Sequence, residues 1–234
     1  MNRSAIFVCV TGVAFLSTSV NTDAWVLFDW TFESSYTSIT GASADLGPIA
    51  ADLGSGLITG HHASSATVWS SPTGNGSSHS LAANNWSVGD YFQFRLDAAG
   101  FSAVVLDWDQ ASSNTGPRDF VLQYSTDNST YTQFDGTLSV LANASIGTRT
   151  FWTTGNYQSD YHFSLDLSAV SAIENQSTVY FRLVDNSNSS ANGASVSTSG
   201  TSRIDNFTFV VPEPSTLVLV SLGFAALLAN RRRT

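Results

Sequence analysis

Lysine is absent from the chain; all nine basic residues are arginine, three of them in the run 231–233. Between residues 25 and 210, five arginines face sixteen acidic residues, a net charge of −11. An acidic, lysine-free surface of this kind argues against nucleic acid and anionic lipid as partners. Cysteine is nearly absent too. The single one, Cys9, lies in an apolar run near the start, so the rest of the chain folds without disulfides. Glutamate and the other strong helix formers are scarce, whereas Ser, Thr, Asn and Gly abound. That composition argues against a helical fold. No Gly-x-Ser-x-Gly elbow occurs, so a serine hydrolase has no anchor. Asp107 and Asp109 lie two apart on one strand face, and same-strand carboxylates cannot flank a glycosidic bond. His61 and His62 are adjacent but lack a third ligand at useful spacing. With no nucleophile, base and orienter to assemble, the chain reads as a non-enzyme.

Hydrophobic runs are confined to the two ends. At the first, Arg3 precedes the twelve-residue apolar stretch 5–16, followed by small and polar residues, the layout of a secretory signal peptide. Residues 1–24 are assigned to it, as a signal helix, with cleavage before Trp25 as the first choice and after Ser19 as the second. At the other end, residues 217–229 carry no charge and only one polar side chain, Ser221. As a helix these residues rise ~20 Å, and extending from Ser215 to Arg231 brings the span to ~25 Å, a marginal crossing of a ~30 Å hydrocarbon core. This predicts a single transmembrane helix closed by Arg231, Arg232 and Arg233 on the cytoplasmic side.

Between the ends, short runs of aromatic and β-branched residues recur with period two. Strands are predicted at 25–32, 66–70, 90–98, 101–109, 118–125, 130–134, 148–153, 161–167, 178–184 and 203–211. In 90–98, Phe92, Phe94 and Leu96 face one way and Tyr91, Gln93, Arg95 and Asp97 the other. Residues 37–60 show weak periodicity and read as a meander, and 167–175 has the only helical leaning. About ten half-apolar strands must cover one another, so the fold class is all-β: a two-sheet antiparallel sandwich spanning residues 25–210.

Pro212-Glu213-Pro214, then Ser215, the apolar helix and the terminal arginines resemble the PEP-CTERM sorting signal of Gram-negative bacteria. The prolines hold the triplet extended, and Ser215 is placed to cap the helix that follows. The resemblance covers residues 211–234. It implies secretion machinery and a membrane-embedded exosortase as partners, attachment to the membrane through the helix until processing, and a destination at the cell surface or in an exopolysaccharide matrix. An unprocessed tail-anchored membrane protein is the alternative for this segment. The domain in turn resembles the jelly-roll sandwiches that accompany such tails, through residues 112–117 with 123–127, Asp166-Leu167-Ser168 with Phe181-Arg182-Leu183, and Arg203-Ile204-Asp205-Asn206. Those sandwiches are related in shape to carbohydrate-binding modules, which implies a polysaccharide-binding role. A purely structural surface or matrix protein is the other reading. Trp69 and Trp86, bracketing the loop 71–80, are the candidates for exposed faces that stack on sugars. The same resemblance implies a structural calcium ion between first and last strands, with Asp29, Glu33 and Asp205 as ligands; no other cofactor is implied.

The tail carries a direct expectation. The mature protein ends near residues 212–215 and lacks Arg231, Arg232 and Arg233, which intact mass spectrometry of protein recovered from its own cells reads out. Full-length chain resident in the membrane of an exosortase-bearing host would contradict it.

Overall fold

Every strand with apolar residues at alternate positions has one face to bury, and the chain solves this by pressing two antiparallel sheets together. The computed structural model describes residues 24–33 and 41–212. Among them the strands in chain order are β1 (Ala24–Trp30), β2 (Asp45–Ala50), β3 (Leu57–His61), β4 (Trp69–Ser70), β5 (Leu81–Ala83), β6 (Tyr91–Leu96) and β7 (Val105–Ser112). They continue with β8 (Asp119–Ser125), β9 (Thr132–Gln133), β10 (Leu138–Ser139), β11 (His162–Asp166), β12 (Val179–Asp185) and β13 (Ser202–Pro212). One sheet has six strands, ordered β11-β7-β13-β5-β4, with β1 also on β13. The other has seven, ordered β10-β8-β12-β6-β3-β2, with β9 also on β8.

The first and last strands lie side by side, with Ala24 opposite Pro212 and Trp30 opposite Phe207. Trp30, Phe94, Phe181, Phe207 and Phe209 are all buried between the sheets. The rings of Phe94 from β6 and Phe207 from β13 stack with centroids 3.4 Å apart at 10°. The edge of Trp30 meets both rings, at 5.2 and 5.9 Å.

A bulge in β13 sets the parity of the last strand. Its register against β7 shifts between Asp205 and Thr208, and Asn206 sits at φ 49°. Asn tolerates the left-handed region better than a β-branched residue, so it suits the extra position. Ile204 is inward before the bulge, and Phe207 and Phe209 are inward after it. Asp205 is thereby turned to the outer side of the six-stranded sheet, yet it too is buried, because the segment holding Asn75 and Ser77 covers it.

Several expected boundaries shift. Residues 37–60, read as a meander, contribute β2 and β3, whose pairing holds an irregularity between Leu46 and Ile49. The expected strand at 148–153 is instead a loop with isolated bridges Ile146/Arg149 and Thr153/Asn156. Its Trp152 folds back onto Tyr161, centroids 5.9 Å apart at 88°, in a small cluster with Ala111 on the outer side of β7. The helical leaning at 167–175 reduces to one 3₁₀ turn, Ser171–Ile173, that buries Ile173. The signal helix and the transmembrane helix fall outside the described residues. Within those residues no helix is long and apolar enough to cross a membrane.

Phe94 and Phe181, expected inward, are both fully buried. Changing either to alanine removes a ring from a close-packed interior and is expected to cost ~3–5 kcal/mol, a large part of one domain's stability. Thermal melts check this; a wild-type melting temperature would contradict the packing.

Candidate functional site

The same alternation that buries Phe92, Phe94 and Leu96 sends Tyr91, Gln93 and Arg95 outward. On the neighbouring strand, Val179, Phe181 and Leu183 are buried, and Tyr180, Arg182 and Val184 point outward. Antiparallel register sets Arg95 opposite Tyr180 and Gln93 opposite Arg182. Thr59 of β3 continues the Gln93 row on one side, and Gln123 of β8 continues it on the other.

Tyr131 is brought onto this face by a tight turn after β8. Asp127 Oδ1 accepts the amides of Ser129 and Thr130, Ser125 Oγ accepts those of Asp127 and Asn128, and Asn128 takes φ 58°. The chain then reverses, and the Tyr131 ring covers Arg182.

The Arg182 guanidinium carbon lies 3.6 Å from the Tyr131 centroid and 4.0 Å from that of Tyr91. Arg182 Nε donates to Gln93 Oε1 at 2.7 Å, and the Tyr131 hydroxyl donates to the same oxygen at 2.8 Å. Burial raises the Tyr131 phenol to about 12, with Arg182 pulling the other way, so the ring is neutral at physiological pH. The result is a half-exposed face of aromatic rings and amides built around one immobilised guanidinium.

The tryptophans expected to be exposed are not. Trp69 is 0% and Trp86 5% exposed, so neither presents a face to a sugar. Both enclose the His62 ring, whose centroid lies 4.7 Å from Trp69 and 4.2 Å from Trp86. Trp86 continues onto Phe92 and Phe120. Gly60 leaves the space Trp69 fills, since a Cβ there would collide with the indole. Of the six tryptophans, Trp25 is the exposed one, at 51%. The loop 71–80 serves the fold rather than a groove.

Asp29, Glu33 and Asp205 do not converge. Asp205 Oδ2 accepts Asn75 N at 2.8 Å and Ser77 Oγ at 2.6 Å, and Oδ1 accepts Asn206 N. Asp29 pairs opposite Thr208, beyond the bulge, and Glu33 accepts the amide of His79. Among the described residues no group of three His, Cys, Asp or Glu could hold a metal ion. Asp107 and Asp109 share an outward face, as the alternation requires, and His162 bridges them, Nδ1 3.2 Å from Asp109 and Nε2 3.6 Å from Asp107. Asp109 is also held by Tyr157 Oη and Asn206 Nδ2. This network fastens loops to the six-stranded sheet, with both Asp109 oxygens occupied from within. Pro212 ends β13, and Glu213, Pro214, Ser215 and Arg231–Arg233 lie outside the described residues.

A family model for the PEP-CTERM protein-sorting motif matches residues 210–233. The chain carries a PEP-CTERM sorting signal. The signal implies export toward the cell surface and processing by exosortase. No curated protein matches the chain. Solved structures similar to the fold include the N-terminal CBM22-1–CBM22-2 tandem domain of Paenibacillus barcinonensis Xyn10C, at 13% identity and TM-score 0.44. That match covers 83% of this chain and 49% of the other, so the chain spans about half its length. The K1 cleaved adhesin domain of Lys-gingipain from Porphyromonas gingivalis W83 matches at 12% identity and TM-score 0.43, covering 80% and 97%. A carbohydrate-binding module specific for non-crystalline cellulose, CBM28, matches at 14% identity and TM-score 0.33, covering 61% and 79%. Likeness at this level does not bear on what this chain binds.

One buried group makes stability depend on pH. Asp185 is 1% exposed, and its Oδ2 has no hydrogen-bond partner. Burial first, then the nearby Asp90 and Asp119 carboxylates, push it up to about 7. Because the folded state holds this proton more tightly than the unfolded chain does, ionisation costs stability. The contribution is intact below about pH 4 and is lost as pH rises through 7. Asp185→Asn removes the ionisation, so the variant should melt above wild type at pH 8 and close to it at pH 4. Parallel melting curves across that range would contradict the assignment.

Proposed function

We propose that the sorted protein is a non-catalytic polysaccharide-binding component of the cell surface or matrix, and that it binds through the outward face of β6 and β12. The observation that carries this reading is the Tyr131–Arg182–Tyr91 stack with Gln93 beneath it. Sugars are recognised by aromatic faces that match their apolar C–H surfaces and by planar donors and acceptors that match their hydroxyls. This face offers both on strands held rigid by the core, so little ordering is needed on binding. The PEP-CTERM signal supports the same reading, because it directs the domain to where extended glycans are. Cleavage of the tail near Pro212 would release the domain into that matrix.

Affinity electrophoresis of the exported protein through gels containing individual polysaccharides tests the proposal. Retardation by at least one polymer is expected, and Tyr131→Ala should weaken it by about tenfold, the scale of one lost stacking contact. Free migration through every polymer would favour a structural role without a discrete ligand, and retardation untouched by Tyr131→Ala would reject this face.

A further inference from the structure

Five arginines occupy residues 25–210, and their partners differ. Arg118 is neutralised by Asp119 through two hydrogen bonds, at 2.8 and 3.0 Å. Arg203 is buried and donates to Thr73 O. Arg149 lies over Tyr161. Arg95 and Arg182 share the outward face of the seven-stranded sheet, and among the described residues neither forms an ion pair. Arg182 commits only Nε to the protein, so the two Nη groups remain as donors in a plane clamped by two rings.

A guanidinium held flat, with its outer edge uncommitted, is a receptor for a planar bidentate acceptor. A neutral sugar offers it only uncharged hydroxyl oxygens, whereas charge-assisted pairs are roughly twice as strong. Carboxylates fit its fork.

The charge around the face decides whether an anion is tolerated there. Asp97 is on the same face as Arg95, but its Oδ1 accepts Ala99 N at the strand end. Asp127 is committed to the turn amides of Ser129 and Thr130. His61, whose ring lies 5.7 Å from that of Tyr91, is paired at 2.6 Å with Asp45 of β2 beyond it. Asp45 and Asp127 therefore stand at the rim and Arg182 occupies the centre, while Arg95 lies nearer the strand end beside Asp97. At physiological salt, charges more than ~8 Å apart in solvent are largely screened, so the domain's remote acids do little to oppose contact at the centre.

We propose that the face takes a carboxylated polysaccharide, a polymer of uronic-acid sugars, whose carboxylates pair with Arg182 and Arg95 while its rings lie against Tyr91, Tyr131 and Tyr180. This rests on the reading of the face as glycan-binding and narrows it to one ligand class. The anionic group is the recognised chemistry, and the carboxylate is chosen over a sulfate ester because its more basic oxygens, sharing one charge between two atoms rather than three, are the stronger acceptors for the guanidinium fork.

Affinity electrophoresis with the exported protein and a chelator present, so that no cation bridges the partners, compares four polymers. They are polygalacturonate, the same polymer with its carboxyls reduced to alcohols, dextran sulfate and dextran. Retardation by polygalacturonate is expected, falling at least about tenfold on carboxyl reduction and again in Arg182→Gln. Arg95→Gln, a change at an exposed side chain, should weaken it in the same direction, which keeps the test valid if Arg182→Gln folds poorly. Equal retardation by native and carboxyl-reduced polymer would overturn this inference and leave the glycan-binding reading standing. Preference for dextran sulfate over polygalacturonate would overturn the carboxylate assignment. No retardation by these or any other polysaccharide would remove both.

Discussion

The two sheets meet in the stack of Phe94 on Phe207, and the rest of the molecule takes its orientation from that contact. With strands of period two, fixing one inward ring fixes the outward direction of its neighbours. Phe94 inward places Gln93 and Arg95 outward; Phe181 inward does the same for Tyr180 and Arg182. A slip of one residue in either strand would bury an arginine and expose a phenylalanine, so the core holds the outer face in register as well as holding the sheets together. The half-exposed stack around Arg182 is thus a consequence of close packing on the opposite side of the same two strands.

The outer sides of the two sheets are used differently. On the six-stranded sheet, the bulge at Asn206 turns Asp205 outward, and the segments carrying Asn75, Ser77, Tyr157 and Trp152 fold over it. The carboxylates of Asp109 and Asp205 there are occupied by protein donors. On the outer face of the seven-stranded sheet Tyr131 folds over Arg182, and that central cation is left with donors to spare. Chain entry and exit belong to the first sheet, where Ala24 pairs with Pro212. The segment leading to the sorting tail therefore leaves from the sheet that does not bear the proposed binding face.

Much of this was legible from residues alone where packing obeys a simple period. The alternation in 90–98 already separated Phe92 and Phe94 from Tyr91 and Arg95, and the Pro-Glu-Pro triplet with its apolar run and arginines identified the tail. Legibility failed where a side chain's fate depends on distant chain. Trp69 and Trp86 border a Gly/Ser-rich loop, which suggests exposure, but that loop lies over the outer side of the six-stranded sheet and both indoles pack inward around His62. Asp205 looked like a ligand because it opens the last strand; no local signal shows that Asn75 and Ser77, some 130 positions away, take its oxygens. The place of Tyr131 over Arg182 depends on a five-residue turn and a cross-strand partner, neither of which carries a periodic mark.

The account rests most directly on the claim that the strand face centred on Arg182 is where ligand meets protein. Residue-resolved NMR of the protein during titration with polygalacturonate fragments measures this. Shifts confined to the Arg182 Nε–H and the amides of β6, β12 and the Tyr131 turn, with the signals of Asp109, Asp205 and loop 71–80 unmoved, are the predicted result. Shifts centred on the loops over the six-stranded sheet, with the Arg182 Nε–H unchanged, would contradict it.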